Sequence, residues 1–372
     1  MINSIEIIDF KGFAKPIIED FNKLQINALY FIASSKISTI PGISIAGSDP
    51  IATLYTPTLD VEYLVLGKPK SLDIIPLTPD GIPTPALLTK TALRILKVPH
   101  LVVDCGAYAE PQIPHIKLPG KSIGGRIDIE NALEIENAVK LYDNGRVLGY
   151  MIGEKDLVFV IGESMPGGTT TAMAIMEALG YKAIGRVSSA SPMNPHNLKK
   201  EVFMKALKRN SVQLPIYDVF KAVSIFGDPL HISIAGFVSG AVEKGSKILL
   251  AGGTQMCAVL AILKRLNIDI SGKVAIGTTR WIVKDSSADI VGLVKDIAPE
   301  VPIIYPMFSF VDAPYKGLIA YENGYVKEGV GAGGTIVATL VKGFNIDEVK
   351  RAIYIEYQKL MVEDYVSEYK KN

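Results

Sequence analysis

A series of short, unbroken apolar runs, most closing on Gly, Ser, Thr or Asp and giving way to helical spacing, constrains this chain more than any other feature. The runs cover residues 28–33, 63–66, 101–103, 157–161, 248–251, 274–276 and 302–305. A strand with one wet face alternates apolar and polar residues, whereas an uninterrupted apolar run is what a strand covered on both faces requires. Helical periodicity follows at 85–95, 129–142, 169–179, 198–208, 232–243, 254–266 and 288–297. This alternation predicts an α/β fold: a doubly wound, mostly parallel sheet with helices on both faces. A further helical stripe (Val349, Ile353, Tyr357, Leu360, Met361) predicts a long helix over 346–369. With a helical stretch near residues 15–23, it is expected to form a small helical lobe (1–26 plus 341–372) beside a large nucleotide-binding domain (27–340).

Composition removes several classes of function. Hydrophobic residues at 48% against 21% charged exclude disorder. Thirty-nine Lys and Arg balance 38 Asp and Glu, so the net charge of +1 lacks the basic excess expected of a nucleic-acid binder. The most apolar region, 248–263, is interrupted by Gly252, Gly253, Thr254 and Gln255 and falls short of the roughly 20 apolar residues a bilayer span needs. The first residues, MINSIEIIDFKGFAK, lack the basic and apolar regions of a signal peptide, and a cytoplasmic location is expected. Cys105 and Cys257 have neither disulfide nor metal spacing. His100, His115, His196 and His231 form no HxH or HExxH pattern, so no metal site is expected, and each histidine reads as surface or satisfied core.

Gly-Gly-Thr occurs three times, at 167–169, 252–254 and 333–335. The first two follow an apolar run and enter a predicted helix through Thr. A helix opening leaves N–H groups unpaired at the positive end of its dipole, and glycine lets a ligand approach the backbone, so such turns make anion sites. At the carboxyl edge of a parallel sheet several of them would line one crevice. The plain alternative is a strand-to-helix connector with Thr as N-cap. Glu163, Ser164, Gly167, Gly168, Thr169 and Thr170 gather hydroxyls and glycines ahead of a helix and fit a phosphate cradle. GxxxxGK[ST] is absent, which argues against a P-loop ATPase, and the Gly-Gly-Thr turns at 167–169 and 252–254 lack the GxGxxG spacing of a dinucleotide-binding fingerprint.

Glu328 opens the glycine loop Glu328-Gly329-Val330-Gly331-Ala332-Gly333-Gly334 and is a candidate base; the alternative is a solvated charge after a hairpin at Glu322-Asn323-Gly324-Tyr325. Asp104, with Gly106, closes the 101–103 run and is either a ligand contact or a structural cap.

GESMPGGTT (162–170) and EGVGAGG (328–334), supported by LLAGGTQMCAVLAIL (249–263), resemble the signature regions of the nicotinate-nucleotide:dimethylbenzimidazole phosphoribosyltransferases, and the chain is most similar to their archaeal branch. The resemblance implies a homodimer that moves the phosphoribosyl group of nicotinate mononucleotide onto a benzimidazole-type base, giving the lower-ligand nucleotide of cobamides and nicotinate, with no cofactor. It implies Glu328 as the base and 163–170 as the phosphate loop. Asp104, Gly106, Gly252, Gly253, Thr254, Gly329 and Gly331 become the remaining substrate contacts. The chain departs from the family at Gly168, where Asn is usual, and at Asp104-Cys105-Gly106, where the family has Asp-His-Gly, so adenine or another azole is an alternative acceptor. A non-catalytic nucleotide or cobamide-precursor binder of the same fold, or a different glycosyl or phosphoribosyl transferase, would carry the same motifs.

Overall fold

A computed structural model describes residues 4–47, 49–78 and 80–369. Among them, eight strands form one sheet: β1 Ile5–Ile8, β2 Gln25–Ala33, β3 His100–Gly106, β4 Ile116–Lys117, β5 Leu157–Ser164, β6 Lys247–Ala251, β7 Val274–Gly277 and β8 Ile303–Pro306. Their order is β1-β8-β7-β6-β5-β2-β3-β4. β1 runs antiparallel to β8 and all other neighbours are parallel. The chain winds outward from β2 to β4, returns to β5 on the other side of β2, and winds outward again to β8. The switch point therefore lies between the carboxyl ends of β2 and β5, where open α/β sheets bind their ligands.

Helices cover both faces. α1 (Ala14–Lys23), α2 (Thr56–Leu66) and α3 (Ala86–Leu96) lie on one side. On the other are α4 (Ile135–Ile152), α5 (Gly168–Ala178), α6 (His196–Asn210), α7 (Val219–Phe226), α8 (Pro229–Glu243) and α9 (Gln255–Arg265). The short α10 (Arg280–Val283) sends Trp281 to the first core and Ile282 to the second, and α11 (Ile290–Ile297) joins the second. α12 (Lys316–Glu322), α13 (Ala332–Val341) and α14 (Ile346–Tyr369) return to the first side. There Ile17 and Phe21 of α1 and Val349, Ile353, Tyr357 and Leu360 of α14 share one core with α3 and α13.

Six of the seven apolar runs are strands, and the seventh is corrected. Residues 63–66 close α2, whose residues from Pro57 to Leu64 are all buried, leaving no polar stripe to betray helical spacing. The helix predicted at 129–142 starts only at Ile135 and continues to Ile152. No hairpin forms at Glu322-Asn323-Gly324-Tyr325: Asn323 caps the end of α12 and Gly324 turns the chain at φ +82°.

The third Gly-Gly-Thr lies inside the first turn of α13. Its glycines let the helix meet the sheet backbone to backbone. A Cβ on Gly333 would fall 2.1 Å from the carbonyl carbon of Thr278, and one on Gly334 would fall 2.3 Å from Ala251 Cβ and 2.5 Å from its Cα. Gly331, at φ +71°, stands against Gly162 in the same way. Tyr30 Oη and Thr335 Oγ1, 3.0 Å apart, tie α13 to β2.

Gly334→Ala gains about 1 kcal/mol of helix propensity, but the main chain it meets cannot move aside, and overpacking typically costs about 1–3 kcal/mol. A lowered guanidinium midpoint is expected; an unchanged or raised one would show that the close contact is not required.

Candidate active site

The parallel strands bring the motifs to one edge. β5 ends in Glu163 and Ser164, and the turn Met165-Pro166-Gly167 enters α5, with Gly167 as N-cap in the left-handed region at φ +78°. The expectation of Thr as N-cap is corrected here, since Gly168 already begins the helix. Gly168 N–H donates to Met165 O at 3.0 Å and Thr170 N–H to Gly167 O at 2.9 Å, tightening this start. Lys199 crosses from α6, fully buried, and its Nζ donates to Thr169 Oγ1 at 2.9 Å. Burial draws its pKa down to about 7, with Lys327 lowering it further and Asp285 opposing. Thr170 Oγ1 is buried with no partner among the described residues. The start of α5 and Lys199 Nζ thus meet at Thr169, donors of the kind that hold an anion.

The second motif follows a strained path. Val326, Lys327 and Val330 hold φ of +63°, +40° and +50°, conformations that non-glycine residues rarely adopt. Lys327 anchors the path: buried, it donates to Asp285 Oδ2 at 2.8 Å and to Ser191 O at 3.0 Å. Burial pushes the Asp285 carboxyl up, but hydrogen bonds from Lys327, Ser188 and Asn194 outweigh it and hold the group below the usual range. Glu328 is thereby turned inward, not solvated after a hairpin. Its carboxylate accepts the N–H groups of Thr279 (3.0 Å), Gly333 (3.1 Å) and Gly329 (3.2 Å). Burial nevertheless pushes its pKa up to about 7.

Two more acids join it. Glu163, buried, has its pKa raised to about 8 by desolvation; His231 opposes the shift, and Glu328, Asp228 and Asp60 add to it. Its main-chain oxygen accepts Val330 N–H at 2.8 Å, joining the two motifs. Asp60, from α2, accepts the hydroxyls of Thr84 and Ser164, both at 2.7 Å, and burial lifts its pKa to about 6.

The remaining candidates divide. Gly253 borders Glu328, since a Cβ there would lie 3.8 Å from Glu328 Cβ. Gly252 donates to Gly277 O at 2.9 Å, and Thr254, at the N-cap position of α9, accepts Ser188 N–H at 3.0 Å instead of capping its own helix. Gly329 and Gly331 belong to the strained path. Asp104 is spent on its own turn: its carboxylate accepts Gly106 N–H (2.9 Å) and Ala107 N–H (2.8 Å) and pairs with Lys121.

Lys199, Asp60, Gln255, Lys327 and the pair Asp228–His231 were not selected from the sequence. Only the pair left a local signal, Asp-Pro with His three residues after the Asp, which marks a helix start. Among the described residues no group of three or more His, Cys, Asp or Glu is placed to hold a metal ion, and no helix is long and apolar enough to cross a membrane.

A family model described as phosphoribosyltransferase matches residues 92–279. A UPF0284 protein of Aeropyrum pernix is 47% identical, over 88% of this chain and 91% of its own. One from Pyrobaculum calidifontis is 45% identical, over 88% and 94%. Among solved structures, the nicotinate-nucleotide-dimethylbenzimidazole phosphoribosyltransferase of Thermus thermophilus superposes with a TM-score of 0.62, covering 93% of this chain and 89% of that one at 14% identity, a likeness of fold.

The raised pKa of Glu163 makes stability depend on pH. The folded state holds this proton more tightly than the unfolded chain, so the stability it contributes is full below the ordinary value of 4.5 and is lost as pH rises toward about 8. Glu163→Gln cannot ionise. Its melting temperature relative to wild type is expected to climb by a few degrees between about pH 5 and about pH 8.5; a constant difference across that range would mean the carboxyl titrates normally.

Proposed function

This chain belongs to the nicotinate-nucleotide:dimethylbenzimidazole phosphoribosyltransferase family, and we propose that it transfers the phosphoribosyl group of nicotinate mononucleotide to a ring nitrogen of an azole base. Membership places it among phosphoribosyltransferases; the donor, the acceptor and the residue roles are the proposed part. The observation that carries them is the Glu328 carboxylate, fixed by three main-chain N–H groups and lifted to about pKa 7. A base is most effective when its pKa lies near the working pH.

In this reading the N-terminus of α5 and Lys199 take the phosphate, leaving the sugar toward Glu328. The azole nitrogen lone pair forms a bond to C1′. The C1′–N bond to the pyridinium breaks, its electron pair returns to the ring nitrogen, and nicotinate departs with a neutral ring. The azole N–H proton passes to Glu328. Electrons and protons balance without a redox cofactor. Benzimidazole-type bases and adenine both present such a nitrogen.

We place the enzyme in the cytoplasm as a homodimer, and α4 offers a surface for the second copy, since Val147, Tyr150 and Met151 share one exposed side of it. Light scattering at micromolar concentration should give twice the 40.2 kDa chain mass; a monomer would remove this assignment.

Glu328→Gln preserves shape and should leave nicotinate mononucleotide affinity nearly intact while lowering turnover by about two to four orders of magnitude. Lys199→Met should do the opposite, weakening binding by about 10- to 100-fold, the usual weight of a charged hydrogen bond. The assay is nicotinate release with dimethylbenzimidazole, then adenine, as acceptor. No release by wild type with any azole would favour a binding protein over an enzyme; equal turnover by Glu328→Gln would remove Glu328 as base.

A further inference from the structure

Behind Glu163 runs a line of buried polar side chains that the proposed chemistry does not use. Asp228 caps α8 through Oδ1, which accepts Leu230 N–H at 2.9 Å and His231 N–H at 2.8 Å. Its Oδ2 lies 2.6 Å from His231 Nδ1. His231 Nε2 lies 3.2 Å from Gln255 Oε1, and Gln255 Nε2 donates to Glu163 Oε1 at 2.9 Å. Asp228, His231 and Glu163 are only 0%, 1% and 3% exposed, and Glu163 Oε2 has no partner among the described residues.

Donor and acceptor roles along the line follow from one another. Glu163 Oε1 accepts from the amide nitrogen of Gln255, so the amide oxygen faces the imidazole. Nε2 must therefore donate, and a bare Nδ1 lone pair 2.6 Å from the Asp228 carboxylate would be repelled, so Nδ1 also carries a proton and His231 is an imidazolium paired with Asp228. Burial opposes that charge, and Asp228 beside it outweighs burial and raises the His231 pKa. The charged groups bearing on Glu163 are His231, Glu328, Asp228 and Asp60. Gln255 also lies flat against the opening of α5, for a Cβ on Gly168 would fall 2.0 Å from its Oε1.

We propose that Asp228, His231 and Gln255 are positioning residues that hold Glu163 so that its free Oε2 receives a hydroxyl of the substrate ribose. The proposal rests on the donor being nicotinate mononucleotide. In that molecule the phosphate and the ring carboxylate are anions that offer only acceptors, and the azole N–H belongs to Glu328, so the ribose hydroxyls, which both donate and accept, are the groups left that suit Glu163 with or without its proton. Along the edge, Glu163 lies between the turn into α5, at the phosphate end, and Glu328, at the base end, where the sugar joining them must sit.

The test is calorimetric binding of nicotinate mononucleotide and its 2′-deoxy and 3′-deoxy forms to wild type, Gln255→Leu and Asp228→Asn, the last keeping a capping oxygen for α8. Wild type should lose about 10- to 100-fold in affinity for one of the deoxy forms, and in both variants that difference should shrink to about 3-fold or less. An undiminished difference in folded variants overturns the positioning role alone. If wild type binds none of the three nucleotides, the donor assignment fails and takes this proposal with it. Nitrogen-15 spectra of histidine-labelled protein add a readout independent of ligand: both His231 nitrogens should be protonated at about pH 7.5 in wild type and not in Asp228→Asn. A neutral His231 in wild type would also overturn the proposal.

Discussion

The backbone-to-backbone contact between the start of α13 and the ends of β5, β6 and β7 is the constraint on which the site depends. Gly331, Gly333 and Gly334 meet Gly162, Ala251, Gly277 and Thr278 at distances that leave no room for a Cβ. That contact sets the Gly333 N–H beside the Thr279 N–H, and both converge on the Glu328 carboxylate. The chain reaches this position through the left-handed residues Val326, Lys327, Val330 and Gly331, held down by the buried Lys327–Asp285 pair. Strain of this kind survives where the surroundings overdetermine it. The EGVGAGG motif thus gains a meaning that differs from its first reading: Gly331, Gly333 and Gly334 make room for the protein's own sheet, and the acid is held beside them by main-chain N–H groups.

Electrostatics divides the edge into two ends. At α5 a helix start meets the buried Lys199, whose Nζ donates to the Thr169 hydroxyl and whose charged form burial disfavours, so an anion there would favour that form. Along β5 and α13, burial lifts Asp60, Glu163 and Glu328 above the ordinary carboxyl range, and Lys327 is already engaged by Asp285. The proposed donor would suit this arrangement with its phosphate at the α5 end.

Much of this was legible in the sequence, because buried parallel strands cannot hide their continuous apolar character. The errors have physical sources. α2 reads as a strand since it is buried all round and shows no 3.6-residue period. β1 was missed because a four-residue antiparallel edge strand leaves a faint pattern. α13 was missed because its glycines, which favour a loop locally, are demanded by packing. Asn-Gly at 323–324 signals a hairpin between strands but serves equally to stop α12. At the site, Glu163 and Glu328 could be read from their motifs, whereas Lys199 and Asp60 could not, because each reaches the crevice from a helix whose sequence carries no local mark of it. His231, read as surface or satisfied core, lies in the core; that it reaches Glu163 through Gln255 is a property of tertiary contact alone.

The most direct test of this account is a crystal structure of the protein with nicotinate mononucleotide and an unreactive azole bound together. The account predicts the phosphate at the opening of α5 within hydrogen-bond reach of Lys199 Nζ, and the azole N–H about 2.6–3.2 Å from a Glu328 carboxylate oxygen. A nucleotide seated elsewhere on the sheet edge, or an azole whose N–H faces away from Glu328, would contradict it.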